Sequence, residues 1–132
     1  LLNWASLAAT AAYSMDYVGY KTSLANLAPF FTKAGYDNFM TAIKNANVIN
    51  DLTSKKLMIS AVPIGTPTIV NEGVVFGEYT WIIQLPIAIK YQTASEESTQ
   101  FKAVALTVSR VSPDIASRGI GIKSFQDAPL NR

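Results

Sequence analysis

Read for period alone, the chain changes character near Lys56: apolar positions recur every three or four residues before it and every second residue after it. In residues 3–20, Trp4, Leu7, Ala8, Ala11, Met15 and Val18 follow helical steps, and Asn3 is placed to cap the first turn. A second row, Tyr13, Tyr17 and Tyr20, lies beside the first. A shorter helix is predicted around Ser23–Leu27, stopping before Pro29, whose ring disfavours helical backbone in the residue ahead. Phe30 and Phe31 then read as core plugs. Thr32 is the predicted cap of a third helix, with Tyr36, Phe39, Met40 and Ile43 at helical spacing. Three asparagines in Asn45–Asn50 end it, and a further turn or two of helix fits before Lys55.

Leu57–Val62 is strand-like and is closed by Pro63, Gly65 and Pro67. Thr68–Val70 and Val74–Phe76 are apolar stretches around Asn71-Glu72-Gly73, which reads as a turn or a bulge. The clearest pattern follows: Tyr79, Trp81, Ile83, Leu85, Ile87, Ile89 and Tyr91 alternate with smaller or more polar residues. A strand of that length runs roughly 43 Å at about 3.3 Å per residue and demands a bent sheet. Pro86 cannot donate to a ladder, so an edge or a bulge is expected there. Ala94–Thr99, with Glu96-Glu97, suits a hairpin loop, and the strand Phe101–Val111 presents Val104, Leu106 and Val108 on one face before Pro113. Helices first and an antiparallel meander afterwards predict an α+β fold, helices on one face of a curved sheet, as a single domain over residues 1–132.

Composition narrows the chemistry. The net charge is +2, with Lys55-Lys56 as the one adjacent basic pair, too little for a nucleic-acid footprint. There is no cysteine and no histidine, which removes thiol chemistry, disulfides, the commonest general base and the commonest transition-metal ligand. The chain opens on Leu1 within a periodic segment, which reads as a piece of a longer protein or as a processed product. Asn3, Ser6, Thr10, Ser14 and Asp16 interrupt the first helix, whereas a membrane span needs about 20 mainly apolar residues.

The candidate motifs are few. Ser117–Phe125, "SRGIGIKSF", resembles a phosphate loop, but Ser124 stands where a dinucleotide fingerprint needs its third glycine, and Ile122 precedes Lys123 where a P-loop needs glycine. A turn at Gly119 followed by a short extended segment is expected instead. Asp16 with Tyr13, Tyr17 and Tyr20 is the best acid–base grouping, able to serve a small-molecule pocket in a cone-shaped fold. A solvated helix face is the plainer reading. Glu96-Glu97 fits a solvated turn, no Ser-x-x-Lys nucleophile pattern occurs, and no Asp-x-Asp spacing points to calcium. No catalytic, cofactor-binding or metal-binding residue is expected from these patterns.

Several stretches in order, Leu1–Tyr20, Phe30–Phe39, Lys55–Ile87, Lys90–Glu96 and Arg118–Phe125, resemble the periplasmic domain of the IcmL/DotI family of type IVB secretion systems, which includes conjugative TraM proteins. The resemblance implies N-terminal helices packed on a strongly bent, roughly four-stranded antiparallel sheet, a cystatin-like cone similar to the VirB-type inner-membrane assembly factor. It implies a single-pass inner-membrane protein whose domain lies in the periplasm and scaffolds protein or DNA transfer. Its partners would be itself, other inner-membrane subunits and a shorter relative, with no direct nucleic acid, cofactor or small-molecule substrate. It carries no catalytic residues. Within the SRGIGIKSF stretch itself, Arg118, Ile120, Ile122 and Phe125 are possible partner contacts, with Ile120, Ile122 and Phe125 able to pack or to pair. The alternative is a small-molecule-binding or enzymatic cone domain using an Asp/Tyr pocket.

Overall fold

The computed structural model describes residues 1–114 and 118–130. Helix α1 (Leu2–Tyr13), strand β1 (Met15–Asp16), α2 (Tyr20–Ala25), a 3-10 turn (Ala28–Phe30), α3 (Lys33–Asn45) and α4 (Val48–Ser54) come first. Strands β2 (Met58–Pro63), β3 (Thr68–Val75), β4 (Glu78–Gln92), β5 (Glu97–Arg110) and β6 (Ile120–Pro129) follow. They form one antiparallel sheet in the order β1-β2-β4-β5-β6, with β3 also on β4. β2 pairs with the Ile87–Gln92 half of β4 and β3 with the Glu78–Gln84 half, so the two share a lane end to end. Four main lanes result, with the two-residue β1 added outside β2, in the α+β arrangement expected.

The sheet curls around its apolar face, and α1 lies against β2 and β4 while α3 lies against β6. Alternation decides which residues face inward: Ile83, Leu85, Ile87 and Ile89 of β4 and Val104, Leu106 and Val108 of β5 are sealed from water. Ile122, Phe31, Phe39, Leu27 and Leu52 complete the same cluster. Thr80 and Ser109, a cross-strand pair on the opposite face of the pleat and also buried, satisfy each other through a 2.8 Å hydroxyl–hydroxyl hydrogen bond.

The expected first helix is too long and partly out of phase. α1 stops at Tyr13, Ser14 is extended, and Met15 and Asp16 pair with Ile59 and Met58. Its buried face is Trp4, Ala5, Ala8, Ala9 and Ala12, whereas Leu7 is 62% and Val18 79% exposed. Small alanines let the helix approach β2 and β4 closely, so the interior stripe is marked by size rather than by bulk. Leu1, not Asn3, holds the N-cap position. The second helix is α2, Tyr20–Ala25, and Pro29 lies in the 3-10 turn after it.

Thr32 does cap α3, its Oγ1 accepting from the Gly35 amide at 3.1 Å. The Thr32 amide donates to the Ile122 carbonyl at 3.0 Å, tying the helix start to β6. A Cβ on Gly35 would lie 2.1 Å from that carbonyl oxygen, so only glycine lets α3 sit so close.

One strand expectation is corrected, and the other is met in one of its two forms. Pro86 is in a central strand opposite Ala103, with no bulge there. Its carbonyl accepts from the Ile64 amide at 3.0 Å, so this side of residue 86 faces the crossing between β2 and β3, where a ladder donor is not required. Asn71-Glu72-Gly73 lies within β3, where the register shifts between Ile69 and Asn71 as a bulge. The turn comes later, at Phe76-Gly77 between the paired residues Val75 and Glu78.

Candidate functional site

Three regions bear on function. In the first, Gly119 adopts φ +73° and leads directly into β6, while Ser117 lies outside the described residues. The strand pairs with β5 from Ile120 to Pro129, longer than the short segment expected. Its backbone is committed to a ladder, and no helix begins there to present free amides to a phosphate. The four candidate partner contacts separate. Arg118 is exposed and Ile120 half-buried, but Ile122 is fully buried in the core and unavailable to a partner, a correction. Phe125 is half-buried in an aromatic cluster, its ring centroid 5.7 Å from Tyr13 and 5.2 Å from Phe39. Packing within the chain accounts for its size.

The second region is a half-open cavity of about 670 Å³ between the helices and the far end of β4. Its apolar wall includes Met15, Phe39, Ile43, Leu57, Ile59 and Phe125. At one side the Tyr13 hydroxyl donates to Asp127 Oδ2, and Lys102 Nζ lies 3.6 Å from the same oxygen. Burial, then the hydrogen bond to Asp127, pushes the Tyr13 hydroxyl above the usual tyrosine range. Tyr91, also lining the cavity, is raised by burial and then by the Asp127 charge. Both phenols therefore hold their protons more tightly than a free tyrosine does.

Asp16 is not part of this grouping. Its Oδ1 accepts from the amides of Val18 (3.0 Å) and Gly19 (2.6 Å), closing the turn ahead of α2. The Asp/Tyr pair expected near Asp16 exists instead between Tyr13 and Asp127, 114 residues apart in sequence. Alternation within β6 is the one signal that could have pointed to Asp127, and it becomes specific only once the β5–β6 register is known. Glu97 pairs with Lys90 at 3.3 Å at the exposed end of the β4–β5 hairpin, in keeping with a solvated turn. Among the described residues, no group of three or more Asp or Glu could hold a metal ion, and no helix is long and apolar enough to cross a membrane.

The third region was not anticipated. Every residue of β3 except Gly73 is exposed, and among the described residues it pairs with β4 alone. Val70, Val74 and Val75 face water, and Phe76 at the hairpin tip is 99% exposed. Phe76 and Gly77 have φ +49° and +80°, the pair of positive values that a two-residue hairpin turn requires and that Asn-Gly ordinarily supplies. A phenylalanine there is strained and buries nothing in its own chain.

Comparison with known proteins supplies the family. A family model for DotI and IcmL, described as "Type-IV b secretion system, inner-membrane complex component", matches residues 1–129. The chain belongs to the DotI/IcmL family. It is similar to the solved periplasmic domain of DotI, with 40% identity and a TM-score of 0.95 over 98% of this chain and 93% of that one. A periplasmic fragment of TraM aligns at 22% identity and a TM-score of 0.87, covering 97% and 94% of the two chains. The VirB8 protein of Agrobacterium tumefaciens shares the fold at 10% identity and a TM-score of 0.66, covering 99% and 92%. No curated protein sequence matches. The family and the fold suggested by the sequence resemblance are both upheld, and DotI/IcmL membership makes this chain a component of type IV secretion machinery.

Proposed function

We propose that this DotI/IcmL chain is a structural component of the inner-membrane core complex of a type IVB secretion or conjugation apparatus, acting as a scaffold on the periplasmic side. The observation that carries this reading is the family match over residues 1–129 together with 40% identity to a DotI periplasmic domain. The full-length protein would be held by a single transmembrane helix outside these residues. Its partners would be further copies of itself, other inner-membrane subunits and a shorter relative. Burial of apolar area at about 25 cal/mol per Å² would hold such contacts once membrane anchoring raises the local concentration. Arg118, exposed at the start of the final turn, stays a candidate contact.

The site chemistry favours a scaffold over an enzyme. Asp16 is spent on backbone amides, and Tyr13 is pushed away from the neutral range in which a general acid or base works. The net charge of +2 suits a subunit that does not itself grip the transferred DNA. Deleting the gene in its own host should abolish protein or DNA transfer without slowing growth, and the wild-type gene should restore it. Undiminished transfer in the deletion strain would refute the proposal.

A further inference from the structure

The exposed hairpin and the cavity complement each other, and they lie at opposite ends of one strand. Phe76-Gly77 immediately precedes β4, while Tyr91 and Thr93, at and beyond the last residues of β4, line the cavity. The strand between them spans roughly 46 Å at about 3.3 Å per residue. One end therefore presents an apolar knob and the other an apolar hole, in every copy of the chain. We infer that the tip of the β3–β4 hairpin, Phe76 foremost, seats in the Phe39–Ile43–Tyr91 cavity of a second copy. This rests on the self-assembly reading above and names the surfaces that would carry it.

Three observations select this occupant. Phe76 is the most exposed large apolar residue among the described residues and occupies a turn position that Asn would hold with less strain. A cavity of about 670 Å³, apolar on its Phe39, Ile43, Leu57 and Ile59 side, has room for a phenyl ring. Pairing two β3 strands edge to edge, the obvious alternative, would leave Phe76 at the ends of the contact and bring Glu72 of each copy toward the other.

A buried phenylalanine removes about 150–250 Å² from water, so the contact falls in the small class, below about 1,200 Å² in total. It is weak in free solution and effective between membrane-anchored copies. Because knob and hole are different surfaces, two copies either exchange knobs reciprocally about a two-fold axis or repeat the contact head-to-tail into a ring or filament. The cavity lining carries Asp51, Glu96, Glu97 and Asp127 against Lys55 and Lys102, so its net charge has the sign of Glu72 near the knob and added salt should tighten the contact, the reverse of an ionic interface.

The test uses isotope-labelled 132-residue chain and its amide NMR spectrum up to about 1 mM, the concentration a short tether supplies. Phe76→Asp removes the knob, and Ala42→Trp fills the hole from an exposed position on α3. If Ala42→Trp lowers the melting temperature, Ala46→Trp on the same rim replaces it. Wild type should show concentration-dependent shifts at both ends of β4, and each variant alone should self-associate at least tenfold more weakly. Mixing the two variants should restore one contact: shifts at Ile43, Tyr91 and Gln100 of the Phe76→Asp chain, and a heterodimer by sedimentation. Self-association of both variants at wild-type strength, or shifts confined to the β3 edge, would overturn the knob-and-hole contact and leave self-assembly standing. A wild type without concentration-dependent shifts would overturn the knob-and-hole contact, and a full-length protein that is monomeric in detergent and in membranes by cross-linking would overturn self-assembly itself.

Discussion

β4 carries large apolar residues at every second position from Tyr79 to Tyr91, yet its two halves meet different surroundings. Ile83, Leu85, Ile87 and Ile89 are sealed beneath the helices, together with the inward residues of β5. Toward the hairpin, Tyr79 and Trp81 are half-buried, covered by each other at 5.1 Å and by the Arg110 guanidinium 5.6 Å from the Trp81 ring. Beside them β3 offers valines to water on an open edge. Alternation reports which residues share a face of the pleat, and only the placement of helices settles whether that face is covered. The half beside β3 is where the proposed contact would place its knob.

The sharpest way to break this comparison is one truncation in each half. Ile87→Ala should cost about 2–5 kcal/mol in urea unfolding, while Val74→Ala should change stability by less than about 0.5 kcal/mol. Equal losses would show that β3 is part of the folding core. Next in size is Gly35→Ala, whose new methyl meets the Ile122 carbonyl. Prying α3 from β6 should cost about 1–3 kcal/mol, read as a lowered denaturation midpoint. Thr32→Ala removes the cap of the same helix and should cost about 1 kcal/mol, with Thr32→Ser largely restoring it.

Phe76→Asn should act in the opposite direction. Easing a left-handed turn residue should raise the melting temperature slightly or leave it unchanged, since Phe76 gives up no contact within its own chain. A clear drop would place Phe76 in the fold. The smallest effect is alkaline. Tyr13 and Tyr91, two of the six tyrosines, should be the last to ionise by ultraviolet titration. Because the folded chain holds the Tyr13 proton more tightly than the unfolded chain does, this contribution to stability is complete below pH 10.0 and is lost as pH rises above it.

Much of this was legible from local pattern. The period change near Lys56, the Thr32 cap, the long β4, the β4–β5 hairpin and the failure of the glycine pair as a phosphate loop all follow from short-range rules. What escaped depends on distant partners or on a residue breaking a local rule. The alanine face of α1 is recognisable only against β2 and β4, and Asp127 meets Tyr13 only through the β5–β6 register. The Phe76-Gly77 turn was hidden because Phe holds a position whose usual signature is Asn. Ile122 and Phe125 looked like surface candidates because β6 reads as a tail until its pairing buries it.

The most direct measurement combines folding and transport in one variant. Full-length protein carrying Phe76→Asp, returned to a deletion strain, should accumulate at the wild-type level while transfer falls by an order of magnitude or more. The same substitution in the 132-residue chain should leave its melting temperature unchanged. Normal transfer by the Phe76→Asp strain would contradict an assembly role for the hairpin.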